Sequence, residues 1–186
     1  MSPPSPPPGK RRTDPERRQR IIDVTLEVVA QHGVAGATHR RIAAAADVPL
    51  GSMTYHFAGM DELLALAFTQ LAQKASAEFR AGLDRVETRE EAIAAVVDII
   101  AGDVWAQPAT LLLSYELYAF AARNPDLQAV MRGWMAASRQ ALGRWFDPLT
   151  ARALDALVEG IGIHNSIDRE PLDRAAIEEI VRRVAT

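Results

Sequence analysis

The sequence predicts an all-α protein, a small N-terminal helical unit followed by a larger helical body. Three observations carry that expectation. From Pro15 onward apolar residues recur at i, i+3, i+4 and i+7, the spacing of one buried helix face. The alternating β-branched and polar pattern of a strand is not found. Helix-starting and helix-ending residues also punctuate the chain at intervals suited to helices of ordinary length.

The elements follow in order. Five of the first eight residues are proline and Lys10, Arg11 and Arg12 come next, so residues 1–14 are expected to form a disordered basic arm. A first helix is expected from Pro15 to His32, with Ile22, Thr25, Leu26 and Val29 on its buried face and Gly33 at its end. Thr38 suits the N-cap of a short second helix, His39 to Ala46. Asp47 and Val48 make a tight turn, and Pro49 opens a third short helix to Phe57. Two short helices across a tight turn give a helix-turn-helix outline for residues 15–59. The body, residues 60–186, starts with a long helix from Met60 to Leu83. A capping box at Thr88 and Glu91 starts the next, to about Trp105. Pro108, Asn124-Pro125 and Asp147-Pro148 mark three more starts, giving helices to about Arg123, Phe146 and His164. A last helix is expected from Asp173 to Val184.

Composition narrows the function. With no cysteine there are no disulfides and no thiolate metal sites, and the four histidines lack the spacing of a ligand set, so neither metal nor cofactor is expected. No segment reaches the ~18 uninterrupted apolar residues of a membrane helix, and no secretory signal is present; the expected location is the cytoplasm, away from membranes. The net charge of −3 divides unevenly: eight Lys/Arg stand against five Asp/Glu in residues 1–60, and thirteen against nineteen in the rest. A basic head on an acidic body suits a protein with one end facing phosphates. No nucleophile elbow, phosphate loop or paired catalytic acids are found, so an enzyme is not expected.

Ile21, Ile22, Gly33, Thr38, Ile42, Ala43, Val48, Gly51, Tyr55, His56, Phe57 and Leu63 stand at spacings that resemble the N-terminal domain of the TetR family of regulators, over roughly residues 18–65. The rest resembles that family only in the number and length of its helices. The resemblance implies a homodimer with two DNA-binding heads, a helical ligand-binding core, and repression from a palindromic operator relieved by a small molecule. The alternative is a helical ligand-binding or interaction dimer with a vestigial head.

On this reading the third helix is the recognition helix, presenting Pro49, Leu50, Gly51 and Ser52 to base edges of double-stranded DNA. Leu50 suits a thymine methyl, or is simply a surface leucine. The resemblance places Tyr55 and His56 on phosphates; packing of the small head is the other reading of each. Arg40 matches a position that in some relatives reads guanine, and a phosphate contact or a solvated face fits equally. Thr38 joins a cap to a phosphate contact. Arg17, with Arg18, Arg20 and the Lys10 to Arg12 cluster, follows the DNA backbone or dips into the minor groove, or serves only solubility. Three positions depart from the family pattern: Thr54 replaces a tyrosine, Met60 a lysine and Asp47 a turn glycine, the last tolerable because Asp reaches the left-handed region.

In the body, Phe79, Trp105, Tyr115, Tyr118, Met131 and Trp134 stand out in an otherwise aliphatic core and are together the candidate pocket lining, although such a residue taken singly is more often plain core. Leu154, Leu157, Val158 and Ile161 form an apolar stripe expected to face a second subunit, with the helix from Pro125 beside it; the chain's own core is the other destination. The helix starting at Met60 joins head to body, so its tilt would set the spacing of two recognition helices.

Overall fold

In the computed structural model residues 16–102 and 108–186 are described. Every regular element among them is a helix. They are α1 (Arg17–Gly36), α2 (His39–Ala45), α3 (Gly51–His56), α4 (Met60–Leu83), α5 (Arg89–Ala101), α6 (Pro108–Ala121), α7 (Pro125–Leu142), α8 (Pro148–Asn165) and α9 (Arg174–Ala185). The expected arm at residues 1–14 and Trp105 lie outside the described residues.

The helix starts follow from local chemistry. The Thr38 hydroxyl accepts from the Arg41 amide at 3.3 Å. Thr88 and Glu91 form the expected capping box, each side chain accepting from the other's backbone N–H at 3.2 Å. The Asn124 and Asp147 side chains accept from two backbone amides each, ahead of Pro125 and Pro148 at the first helical position. Asp173 caps α9 through one amide, accepting from the Ala176 N–H at 2.8 Å.

Gly33 interrupts α1 with φ 68° and ψ 170°, after which one further turn runs to Gly36. That backbone region is nearly closed to residues with a Cβ, so glycine is required at this bend. Asp47 has φ 51°, the left-handed geometry expected of the helix-turn-helix corner. The helix from Pro125 stops at Leu142, earlier than the apolar pattern suggests. Trp145 and Phe146 continue as a turn, with Phe146 buried.

Two apolar cores hold the body together. The first joins the head to it: Ile21, Val29, Ile42, Met53 and Phe57 pack with Leu63, Leu64 and Phe68 of α4, Leu117 and Phe120 of α6, and Leu127 and Met131 of α7. The second lies at the far end, where Leu83, Val96 and Ile100 meet Leu142, Leu154, Val158, Ile177 and Val181. Along α4 the first core ends at Phe68 and the second begins at Leu83; along α7 the corresponding gap lies between Met131 and Ala141. That gap is where a cavity opens.

The apolar stripe of α8 belongs to the second core, which corrects the expectation that it meets a partner. Leu154, Val158 and Ile161 are buried within the chain, and Leu157 is half-buried against them. Periodicity identifies the buried face of a helix but not what covers it. α5 and α9 fill that role here.

Candidate DNA-binding face and ligand cavity

α2 and α3 are held by side chains that point inward. Ile42, Ala43 and Met53 are buried, and the Arg20 Nε donates to the Ala46 carbonyl at 3.1 Å, tying α1 to the end of α2. Arg41 donates to the Gly36 carbonyl at 2.7 Å, and the Arg18 guanidinium lies 5.4 Å from the Phe57 ring centre. These cations support the head itself.

The outward residues differ in character. Thr38, Arg40, Pro49, Leu50, Gly51 and Tyr55 are all exposed. Arg40 makes no hydrogen bond or ion pair among the described residues, so its guanidinium is available to an external acceptor. Leu50 is 50% exposed and Tyr55 82%, so both side chains are accessible, as Arg40 and Thr38 are. His56 is half-buried and stacks edge-on with Tyr55, ring centres 4.8 Å apart. Nothing lies within 4 Å of where a Cβ on Gly51 would stand, so this end of α3 is open to close approach.

Two expected contacts sit less favourably. Ser52 is 8% exposed, and its amide is committed to the Pro49 carbonyl at 2.8 Å, so it offers nothing outward in this conformation. Arg17 is half-buried, with a buried Nε that has no hydrogen-bond partner among the described residues. Among the departures, Thr54 turns its hydroxyl back to the Gly51 carbonyl at 3.3 Å, and Met60 packs against the first core.

The cavity between the two cores has a volume of about 510 Å³. That lies within the range of sites that hold drug-sized ligands, ~300–1,000 Å³. α4 contributes Leu71, Phe79 and Gly82, α5 contributes Ile99, α6 Thr110 and Ser114, and α7 Trp134 and Met135. Phe79 and Trp134 are therefore at this cavity. Met131 is not: it is buried in the first core. Tyr115 lines a second hollow of about 640 Å³ between α6, α8 and α9, where its hydroxyl lies 3.2 Å from the Ser166 Oγ. Tyr118 does not line the central cavity, but its hydroxyl donates to Glu159, which does.

The charge of the lining is the feature the sequence did not expose. Glu78, Asp98, Asp155 and Glu159 face the cavity, with Arg85 the one basic residue of the lining among the described residues. Asp155 accepts from the Arg139 Nε at 2.8 Å, and Asp98 pairs with Arg174 at 2.5 Å. Burial raises the Asp155 carboxyl above its ordinary value despite Arg139. Burial also raises Glu159, opposed by the Tyr118 hydroxyl and reinforced by the nearby Asp155 charge. Desolvation and that same hydrogen bond push the Tyr118 hydroxyl well above the ordinary phenol range. Asp155 and Glu159 flank the apolar stripe of α8 one turn apart, and a carboxylate beside an apolar stripe reads in sequence as the edge of a solvated face.

The described residues contain no group of acidic, histidine or cysteine side chains suited to a metal ion. No described helix is long and apolar enough to cross a membrane.

Comparison with known proteins adds the family. Residues 21–67 match bacterial regulatory proteins of the tetR family, and residues 87–186 match the tetracyclin repressor-like C-terminal domain. A crystal structure of a transcriptional regulator from Streptomyces coelicolor A3(2) is 44% identical, with TM-score 0.85 over 92% of this chain and 99% of that one. The multidrug binding protein EbrR, crystallised with imidazole, is 38% identical, with TM-score 0.74 over 93% of this chain and 97% of that one. EbrR has also been crystallised with proflavin, ethidium and malachite green. The regulator BetI 1 of Chromohalobacter salexigens is 28% identical over 168 residues, covering 86% of this chain and 83% of that protein. With a helix-turn-helix head, a half-closed cavity in a helical body and both halves matched, the chain belongs to the TetR family and is a ligand-responsive, DNA-binding transcriptional regulator.

Proposed function

We propose that the protein is a homodimeric repressor that leaves a palindromic operator when a lipophilic aromatic cation fills the central cavity. The observation that carries this reading is the lining itself: among the described residues, Phe79 and Trp134 supply apolar faces beside four carboxylates and a single arginine. Aromatic faces and carboxylates both attract delocalised cations, and a half-closed cavity strengthens that attraction relative to water. The cationic dyes named for EbrR support the same ligand class.

On DNA, Arg40, Thr38, Leu50 and Tyr55 are the contacts we assign, with His56 positioning Tyr55. Arg40 suits guanine or phosphate, whereas Thr38 and Tyr55 suit phosphate. The dimer contact moves to the outward face of α8. There Leu149 is 77% exposed, Ala156 is exposed, and Ala153, Gly160 and Ile163 are partly open. A Cβ on Gly160 would meet nothing within 4 Å, so a second helix has room to approach closely. Two such faces related by a two-fold axis give a self-complementary contact.

Coupling runs through α6 as well as α4. Thr110 and Ser114 border the cavity, while Leu117, Phe120 and Ala121 on the same helix share a core with α1. A ligand that fits better when α6 is displaced favours a different head position and depletes the DNA-binding state.

The test is selection of bound duplexes from a random pool, followed by titration of the winner over a range of salt. A palindrome whose log K falls steeply with log salt is expected, since each neutralised phosphate adds roughly −0.9 to the slope. A folded dimer that enriches no sequence even at low salt overturns the reading.

A further inference from the structure

The four cavity carboxylates are not equivalent. Asp98 is held by Arg174, and Asp155 by Arg139. Glu78 is exposed, so its charge is solvated. Glu159 is half-buried and has no cationic partner among the described residues; its hydrogen bond comes from the Tyr118 hydroxyl. A carboxylate so placed lacks what normally stabilises a buried charge.

We propose that Glu159 is the residue that receives the ligand's positive charge, and that the cation enters in exchange for a proton. In the empty cavity the Glu159 carboxyl holds its proton to a higher pH than an exposed glutamate. When the cation arrives, the O–H bond breaks, the proton leaves to solvent, and the carboxylate pairs with the cation. No oxidant, metal or second substrate is involved. The Tyr118 hydroxyl keeps its donor role in both states, which holds the carboxylate oriented toward the cavity.

The surroundings support the exchange. From α8 itself Asp155 faces Glu159 and, being acidic, disfavours a second negative charge. From α7 Arg139 is engaged with Asp155 at 2.8 Å. From α6 the facing group is the Tyr118 hydroxyl. α4 brings Glu78 to the lining and the turn after it brings Arg85, while α5 brings Asp98, already paired with Arg174 of α9. Burial and Asp155 both act to keep Glu159 protonated, and the hydrogen bond from Tyr118 opposes them without reversing the shift.

The consequence is selectivity linked to pH. Cation affinity rises with pH until Glu159 is ionised in the empty protein, then levels off; a neutral molecule of the same shape shows no such rise. This rests on the cavity being the ligand site, so the experiment separates the two claims. The probes are tetraphenylphosphonium, a bulky aromatic cation that does not intercalate in DNA, and triphenylphosphine oxide, a neutral near-analogue. Each is titrated calorimetrically into the intact protein at mildly acidic pH, in two buffers of different ionisation enthalpy. The wild type is expected to release up to one proton per bound cation and none for the neutral probe.

Glu159→Gln keeps the shape and still accepts from Tyr118, so it is expected to fold. In that variant proton release should vanish and cation affinity should fall by about tenfold or more, the equivalent of ~1.4 kcal/mol, with neutral-probe affinity retained. Asp155→Asn should retain proton release but move it to lower pH, because burial, the larger cause, still holds the Glu159 proton. Cation binding with no proton release, or with release undiminished in Glu159→Gln, overturns the Glu159 proposal and leaves the cavity reading standing. If neither probe binds the folded wild type, the cavity reading falls and the proposal with it.

Discussion

Replacing Gly33 by alanine tests the link between head and body at one atom. Two costs are separable. The backbone at φ 68°, ψ 170° lies where an L-residue is strained by about 1–3 kcal/mol. A Cβ there would also stand 2.7 Å from the Glu116 Oε1 of α6. The second cost is small, because that oxygen ends a flexible side chain that can swing away. The backbone should therefore dominate, lowering stability by about 1–3 kcal/mol and the melting temperature by roughly 2–10 °C for a chain of this size. Urea denaturation at one fixed protein concentration measures it, since a dimer's apparent stability depends on concentration. Glu116→Ala alone should change little, and the double variant should recover less than ~0.5 kcal/mol. Full recovery in the double variant, or a Gly33→Ala protein as stable as the wild type, would refute the argument from backbone conformation.

Other outcomes follow from the same structure. Leu154→Ala should destabilise the fold by ~2–5 kcal/mol because it empties a fully buried site, whereas Ala156→Arg should spare the fold and yield a monomer by light scattering. Arg40→Ala should leave the melting temperature unchanged and weaken operator binding by ~1–3 kcal/mol if it reads guanine, with specificity relaxed at one base pair in a fresh selection. Glu159→Gln should affect stability with a definite sign. The native carboxyl sits above its ordinary 4.5, so the native state holds the proton longer than the unfolded chain, and that stability is lost as pH rises through the native value. The variant should therefore melt higher than the wild type at neutral pH and match it below pH 4.5, where both side chains are neutral.

The elements were legible because their ends carry local chemistry. Thr38, Thr88, Asn124-Pro125, Asp147-Pro148 and Asp173 all act where the sequence places them, through hydrogen bonds that need only neighbouring residues. The spacing from Ile21 to Leu63 was legible for the same reason, since a three-helix head leaves few alternatives for its core. What failed depended on contacts between distant segments. Leu154, Val158 and Ile161 are apolar at helical spacing whether α9 or another subunit covers them. Met131 and Tyr115 share the character of Phe79 and Trp134, and only the packing of α6 and α7 decides which of them reach the central cavity. Asp155 and Glu159 were invisible because charged residues beside an apolar stripe ordinarily meet water. Ser52 was misjudged because a six-residue helix still has an inner face.

The most direct test of the account is to hold the selected operator duplex, labelled with a fluorophore, on the protein and titrate tetraphenylphosphonium while following anisotropy. The duplex should be released over the concentration range in which calorimetry shows the cavity filling, and Glu159→Gln should shift both curves together to higher concentration. A cavity that fills while the duplex stays bound with unchanged affinity would contradict it.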